Sequence, residues 1–204
     1  MAGVPLVVIG DVYLCQPKVI LDEDESATLE DVIGEHLESK TNDDVRMLNI
    51  YQQNMSFFPK NIAKFFPELK AINFHDSDLA QLSAEDFEPF PQLLYLGIRF
   101  TQLTKIESDL FKFTPNLKYI TFAGSQIHHV GADLVTDLKD LTILDFQLTK
   151  CMNRIAKTPE QIAKLNVDLP NECHPQFKPK SDDAEDLLED SSEDFKEFED
   201  HTEL

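Results

Sequence analysis

The stretch Leu93-Leu94-Tyr95-Leu96-Gly97-Ile98-Arg99-Phe100-Thr101-Gln102-Leu103-Thr104-Lys105-Ile106 decides how this chain folds. Counting from Leu93, apolar residues stand at positions 1, 4, 6, 11 and 14, and a small polar residue, Thr101, stands at position 9. The same template lies upstream at Val45, Leu48, Ile50, Met55 and Phe58, and at Leu69, Ile72, Phe74, Leu79 and Leu82. Downstream it returns at Leu117, Ile120, Phe122, Ile127 and Val130, and in part at Leu141, Leu144 and Phe146. The starts 45, 69, 93, 117 and 141 are 24 residues apart each time. A second apolar cluster recurs late in the unit: Phe87 and Phe90, then Leu110, Phe111 and Phe113, then Leu134, Val135 and Leu138.

Alternation over positions 2 to 6 has the period of a strand, with Leu96 and Ile98 facing inward and Tyr95, Gly97 and Arg99 facing outward. One such strand cannot bury its apolar side alone, but stacked copies share a continuous core. A period of 24 falls within the range of about 20–29 residues of leucine-rich repeats. The expected fold is an α/β solenoid: a leucine-rich-repeat horseshoe with a concave parallel β-sheet, capped at both ends. The expected organisation is an N-terminal cap at 1–44, five repeat strands at 45–150, a C-terminal cap at 151–178 and an acidic disordered tail at 179–204.

Over roughly residues 10–175 the chain resembles the leucine-rich-repeat domain of extracellular type, most of all small secreted insect members. The resemblance rests on Asp109-Leu110-Phe111, on Thr114-Pro115-Asn116-Leu117-Lys118-Tyr119-Ile120, on Gln126-Ile127-His128-His129-Val130-Gly131, and on a closing Thr158-Pro159 helix flanked by cysteines. The family's asparagine at position 9 is replaced by Gln53, Ser77, Thr101, Ser125 and Thr149, so a weaker ladder of hydroxyls is expected between coils. In the closing segment Thr158 suits an N-cap, Pro159 the first helical position and Gln161 a capping box, with Ile162, Leu165 and Leu169 on one face. The resemblance implies a disulfide between Cys151 and Cys173 and an oxidising compartment; two reduced core cysteines are the alternative. Cys15 is left over, on an expected strand of the N-terminal cap. Asn54-Met55-Ser56 is an N-glycosylation sequon, compatible with secretion.

The chain has 204 residues, 38 acidic and 18 basic, for a net charge of -20. Residues 181–204 hold twelve of those acidic residues and a single lysine, Lys196. Such a run repels itself, although Ala184, Leu187, Leu188, Phe195 and Phe198 would form an apolar stripe on a helix. The acidic excess argues against nucleic acid, since phosphate contacts need a basic face, and against anionic membrane surfaces. The apolar opening, residues 2–10, is too short for the ~20 residues that span a bilayer and does not read as a complete signal peptide.

Outward positions of concave strands are the usual binding surface of this architecture. They nominate Met47, Asn49, Tyr51, Asn73, His75, Tyr95, Arg99, Tyr119, Thr121, Ile143 and Asp145 as partner-binding residues, with Met47, Ala71, Tyr95, Tyr119 and Ile143 forming an apolar row across the coils. No phosphate loop, His-Glu-x-x-His or Gly-x-Ser-x-Gly motif is present, and His128 and His129 are adjacent, a poor metal pair. The expectation is a non-enzymatic module without metal or cofactor that binds a partner protein in an extracellular or secretory setting. Two alternatives remain open at this stage. The closing His201-Thr202-Glu203-Leu204 partly matches a lumenal retention signal, which suggests a resident of the endoplasmic reticulum lumen with an ion-binding tail. The net charge also suits an intracellular acidic leucine-rich-repeat protein with basic partners.

Overall fold

The computed structural model describes residues 13–16, 18–21, 28–33, 36 and 39–174; the acidic tail, the opening segment and the terminal tetrapeptide lie outside the described residues. At the N-terminal end, β1 (Tyr13–Cys15) is followed by an antiparallel pair, β2 (Lys18–Leu21) and β3 (Leu29–Ile33). The repeats then deliver β4 (Val45–Tyr51), a single helical turn α1 (Ile62–Phe65), β5 (Ala71–Ser77) and β6 (Tyr95–Thr101). After these come β7 (Lys105–Ile106), β8 (Tyr119–Thr121), β9 (His129–Val130), β10 (Ile143–Asp145), β11 (Ile155–Ala156) and the closing helix α2 (Pro159–Glu172).

The main sheet has seven strands in the order β1-β4-β5-β6-β8-β10-β11. Its register is the repeat itself: Met47 pairs with Ala71, Ala71 with Tyr95, Tyr95 with Tyr119 and Tyr119 with Ile143, each a step of 24 residues. The architecture is a leucine-rich-repeat solenoid. It extends the expected five strands by one at each end, because β1 adds parallel to β4 and the chain folds back after β10 to lay β11 antiparallel against it. The opposite wall is built from turns, α1, a 3-10 turn at Ala84–Phe87 and the short parallel pair β7–β9.

The inward residues at positions 1, 4 and 6 are fully buried from Val45 to Phe146, apart from Leu141, which is nearly so. Phenylalanines thread this core: Phe58 lies 5.4 Å from Phe74 and 5.3 Å from Phe87, and Phe122 lies 5.2 Å from Phe146. The late cluster, Phe87, Phe90, Leu110, Phe111, Leu134, Val135 and Leu138, fills the core from the turn side, while Phe113 is only half-buried. Position 9 forms a partial ladder. Thr101 and Ser125 hydroxyls bond at 2.9 Å, and Ser125 donates on to the Ile98 carbonyl at 3.0 Å. The buried Ser77 hydroxyl finds no partner. A further side-chain stitch joins coils elsewhere: Gln92 donates to the Pro67 carbonyl and Asn116 to the Pro91 carbonyl.

The C-terminal cap follows its sequence logic with one difference. Thr158 Oγ1 accepts from the Gln161 backbone N–H, but the Gln161 side chain accepts from the Lys157 N–H rather than that of Thr158. Ile162, Leu165 and Leu169 are buried against the last coil. Asn166 joins them, accepting from the Val135 N–H and donating to Thr136 Oγ1. Arg154 holds the helix from the side through Asp168 at 2.7 Å and Glu172 at 2.6 Å. Cys151 and Cys173 form a disulfide that ties the helix end to the last turn, and Cys15 is a free, half-buried thiol packed against the core.

Candidate functional site

The concave sheet carries two rows of side chains whose character follows from the register. At position 5, amides and hydroxyls link neighbouring coils. Asn49 donates to Gln16, Asn73 donates to Asn49 at 2.7 Å, and Thr121 donates to Asp145 at 2.9 Å. Asp145 also accepts the Gln147 N–H, and burial pushes its carboxyl above the ordinary range against the opposing pull of those two hydrogen bonds. Between the two halves of this row stands Gly97. A Cβ there would lie 2.2 Å from Asn73 Oδ1 and 2.7 Å from the Tyr95 hydroxyl, so glycine is what lets Tyr95 fold back across its own strand.

That fold-back changes the expected site. At position 3, Met47, Ala71 and Tyr95 are buried together, with Leu94 and Tyr119 packed around them. Tyr95 and Tyr119 rings stack obliquely at 5.0 Å, and burial raises both phenols. Over Met47, Ala71 and Tyr95 the apolar row expected from sequence is thus a second small core, sealed where it was expected to be open, while Tyr119 and Ile143 stay half-buried. Of the nominated residues, Met47, Asn73, Tyr95, Thr121 and Asp145 are buried, because cross-coil packing and hydrogen bonds consume their surfaces. Asn49, His75, Arg99, Tyr119 and Ile143 are half-buried, and Tyr51 is exposed.

What the geometry leaves open is the rim of the sheet, at positions 7 and 8. Tyr51, His75 and Phe100 form an aromatic chain with ring separations of 5.4 and 5.3 Å. Tyr51 and Phe100 are each 40% exposed. Arg99 lies over the Phe100 ring at 5.8 Å and enters none of the ion pairs among the described residues. Its guanidinium is therefore held on an aromatic face and available to a carboxylate. Burial, reinforced by the Arg99 charge, holds the His75 imidazole below its ordinary pKa, and its buried Nδ1 has no hydrogen-bond partner.

Position 8 has a backbone signature of its own. Gln52, Asp76, Phe100, Gly124 and Leu148, one from every coil, all have positive φ, between 51° and 73°. The chain leaves the sheet at this point by a left-handed step. Glycine adopts that conformation freely, whereas an L-residue with a Cβ loses about 1–2 kcal/mol. Two of the five positions hold bulky apolar residues, Phe100 and Leu148, both exposed. The Phe100 ring rests on Gly124, where a Cβ would come within 2.4 Å of it. Phe100 is not among the residues nominated from the sequence. The signal that points to it is Gly124, a glycine in one copy at a position bulky in another.

A second concavity, of about 280 Å³, lies on the turn side among Phe57, Phe58, Lys60, Gln81, Leu82, Ser83 and Asp86. Burial raises the Asp86 carboxyl, but that group is already engaged by the Ser83 N–H and hydroxyl as a turn cap. His128 is exposed and His129 half-buried on β9, away from the concave sheet. Among the described residues no group of three or more His, Cys, Asp or Glu side chains could hold a metal ion, and no helix is long and apolar enough to cross a membrane.

No protein-family model matches the chain, and no curated protein matches it. Solved structures resemble it over part of its length. Two are of the Toll–Spatzle complex, described as a molecular hub in Drosophila development and innate immunity, the second in glycosylated form. Each is 20% identical to this chain, with TM-scores of 0.45 and 0.46. The matches cover 52% and 49% of this chain but only 15% and 13% of those chains.

Proposed function

We propose that this chain is a non-enzymatic recognition module that binds a partner protein across the concave sheet, with its principal contacts on the rim at Tyr51, His75, Arg99 and Phe100. The observation that carries the reading is Phe100: a large aromatic residue kept 40% exposed in a left-handed backbone conformation that favours glycine. The covered part of the ring offsets the local backbone strain, and the exposed part is left for a partner. Exposed aromatic residues beside an arginine are the residue types that dominate protein interfaces, and the unpaired Arg99 fits an acidic side chain on the partner. The sealed centre, Met47, Ala71 and Tyr95, serves as a rigid floor that fixes these contacts and keeps the ordering cost of binding low. The setting proposed is extracellular or within the secretory pathway, supported by the Cys151–Cys173 bond.

The test is quantitative capture from medium of the native source, with the wild-type chain, Phe100→Ala and Arg99→Ala as baits. Lys164→Ala, on the far helix, is the control. A partner bound through the rim should fall at least tenfold with both rim variants and be unchanged with the control. Equal capture by folded wild-type and Phe100→Ala chains would overturn the assignment.

A further inference from the structure

We infer that Asn54 is an N-glycosylation site of the mature protein. The sequon Asn54-Met55-Ser56 crosses the start of the turn side, just after β4. Met55 is buried in the core, while Asn54 and Ser56 on either side of it are exposed. That alternation turns both residues needed for recognition outward and leaves the apolar one inside. The equivalent positions of the following coils, Asp78, Gln102, Gln126 and Lys150, are all polar, exposed in three and half-buried at Gln126, so the column is one that faces water. A sugar at Asn54 therefore displaces no packing. It stands beyond the rim step at Gln52, beside the concave sheet rather than across it. Three residues on, Phe57 is also exposed, and a glycan beside it would shield apolar surface that nothing else in the described chain covers.

The second support is the Cys151–Cys173 disulfide, since the compartment that forms such bonds is also where asparagine is glycosylated; the inference rests to this extent on the secretory reading above. The donor is an oligosaccharide carried on a lipid diphosphate. The sugar C1–O bond to the diphosphate breaks and a C1–N bond to Asn54 Nδ2 forms. The amide nitrogen gives up one proton and the lipid diphosphate leaves.

The experiment is a non-reducing peptide map of the protein from its native source, with and without peptide N-glycosidase in heavy-oxygen water. The expected result is a residue-54 peptide that appears only after the enzyme, with Asn54 converted to aspartate carrying one heavy oxygen and hence heavier than the unmodified Asn54 peptide. An unmodified Asn54 peptide together with a linked Cys151–Cys173 peptide overturns the site and leaves the secretory reading standing. An unmodified Asn54 with both cysteines reduced overturns the two together. In a secreted expression host, Ser56→Ala should abolish the enzyme-sensitive gel shift while leaving Asn54 in place; a shift that persists in this variant places the sugar elsewhere and refutes the assignment.

Discussion

Replacing Phe100 by alanine and by glycine separates the ring from the backbone that carries it. Both variants lose the ring. With 40% of the residue exposed, about 120 Å² of a side chain of ~200 Å² is covered, which at about 25 cal/mol per Å² sets an upper bound near 3 kcal/mol. Partial relaxation at the surface brings the expected loss for Phe100→Ala to about 2 kcal/mol. Alanine, however, keeps the Cβ and with it the left-handed penalty of about 1–2 kcal/mol. Glycine removes that penalty but adds about 0.5–1 kcal/mol of unfolded-state entropy. Phe100→Gly should therefore be the more stable of the two by about 1 kcal/mol, the reverse of the usual order for these residues. The assay is urea denaturation with a shared m-value. At about 2 kcal/mol per molar, the glycine variant should unfold at a midpoint roughly 0.5 M higher. Leu148, with φ of 56°, should give the same sign. Lys70, exposed and absent from the positive-φ set, should give the ordinary order, with alanine more stable. If Phe100→Ala equals or exceeds Phe100→Gly, the left-handed step at position 8 does not persist in solution, and the case for a strained recognition residue collapses.

Three further outcomes can be checked by thermal or chemical unfolding. Ser77→Ala removes a buried hydroxyl that has no partner and should be neutral or stabilising, whereas Ser125→Ala breaks the bonds to Thr101 and Ile98 and should lose about 1 kcal/mol; equal effects would remove the ladder from the account. Cys173→Ser opens a loop of sequence separation 22 and should cost about 3 kcal/mol, a change that reductant should reproduce in the wild type and that a loss below about 1 kcal/mol would contradict. His75 has a depressed pKa when folded, so the unfolded chain binds its proton more readily, and stability should be lost as pH falls through the ordinary value of 6.5. His75→Gln should flatten that part of the pH profile, and an unchanged slope would assign it to other groups.

How far the fold could be read ahead of the structure depends on what each property is local to. Periodicity is local to the chain, and it settled the register: a constant step of 24 makes every strand pairing from Met47–Ala71 to Tyr119–Ile143 follow from one alignment. The cap was readable for the same reason, since Thr158, Pro159 and the spacing of Ile162, Leu165 and Leu169 act within a few turns of helix. The site was less readable because exposure on a concave face depends on three neighbours at once. Tyr95 is buried because Gly97 is small, Asn73 lies one strand away and Tyr119 stacks from the other side. No single position announces that. The extra strand β11 is not legible in the repeat, because its antiparallel pairing lies outside the period that defines the others.

The same geometry bears on the proposal that recognition falls to the rim. In a stacked coil the residues at positions 3 and 5 have a neighbour on each side at about 4.8 Å, so small and large or donor and acceptor side chains satisfy one another. Asn73 against Asn49 and Thr121 against Asp145 are such pairs. Position 8 stands where the chain turns away from the sheet by a left-handed step. That column has contacts of its own, Gln52 donating to Asp76 and the Phe100 ring resting on Gly124, yet five successive coils present Gln, Asp, Phe, Gly and Leu at that step. The core template scarcely varies over the same coils, because every apolar position in it is shared with the coils above and below. Variation at position 8 leaves the apolar template intact, and on the reading proposed above that latitude is what would let Phe100, with Arg99 beside it at position 7, be set for a partner rather than for the fold.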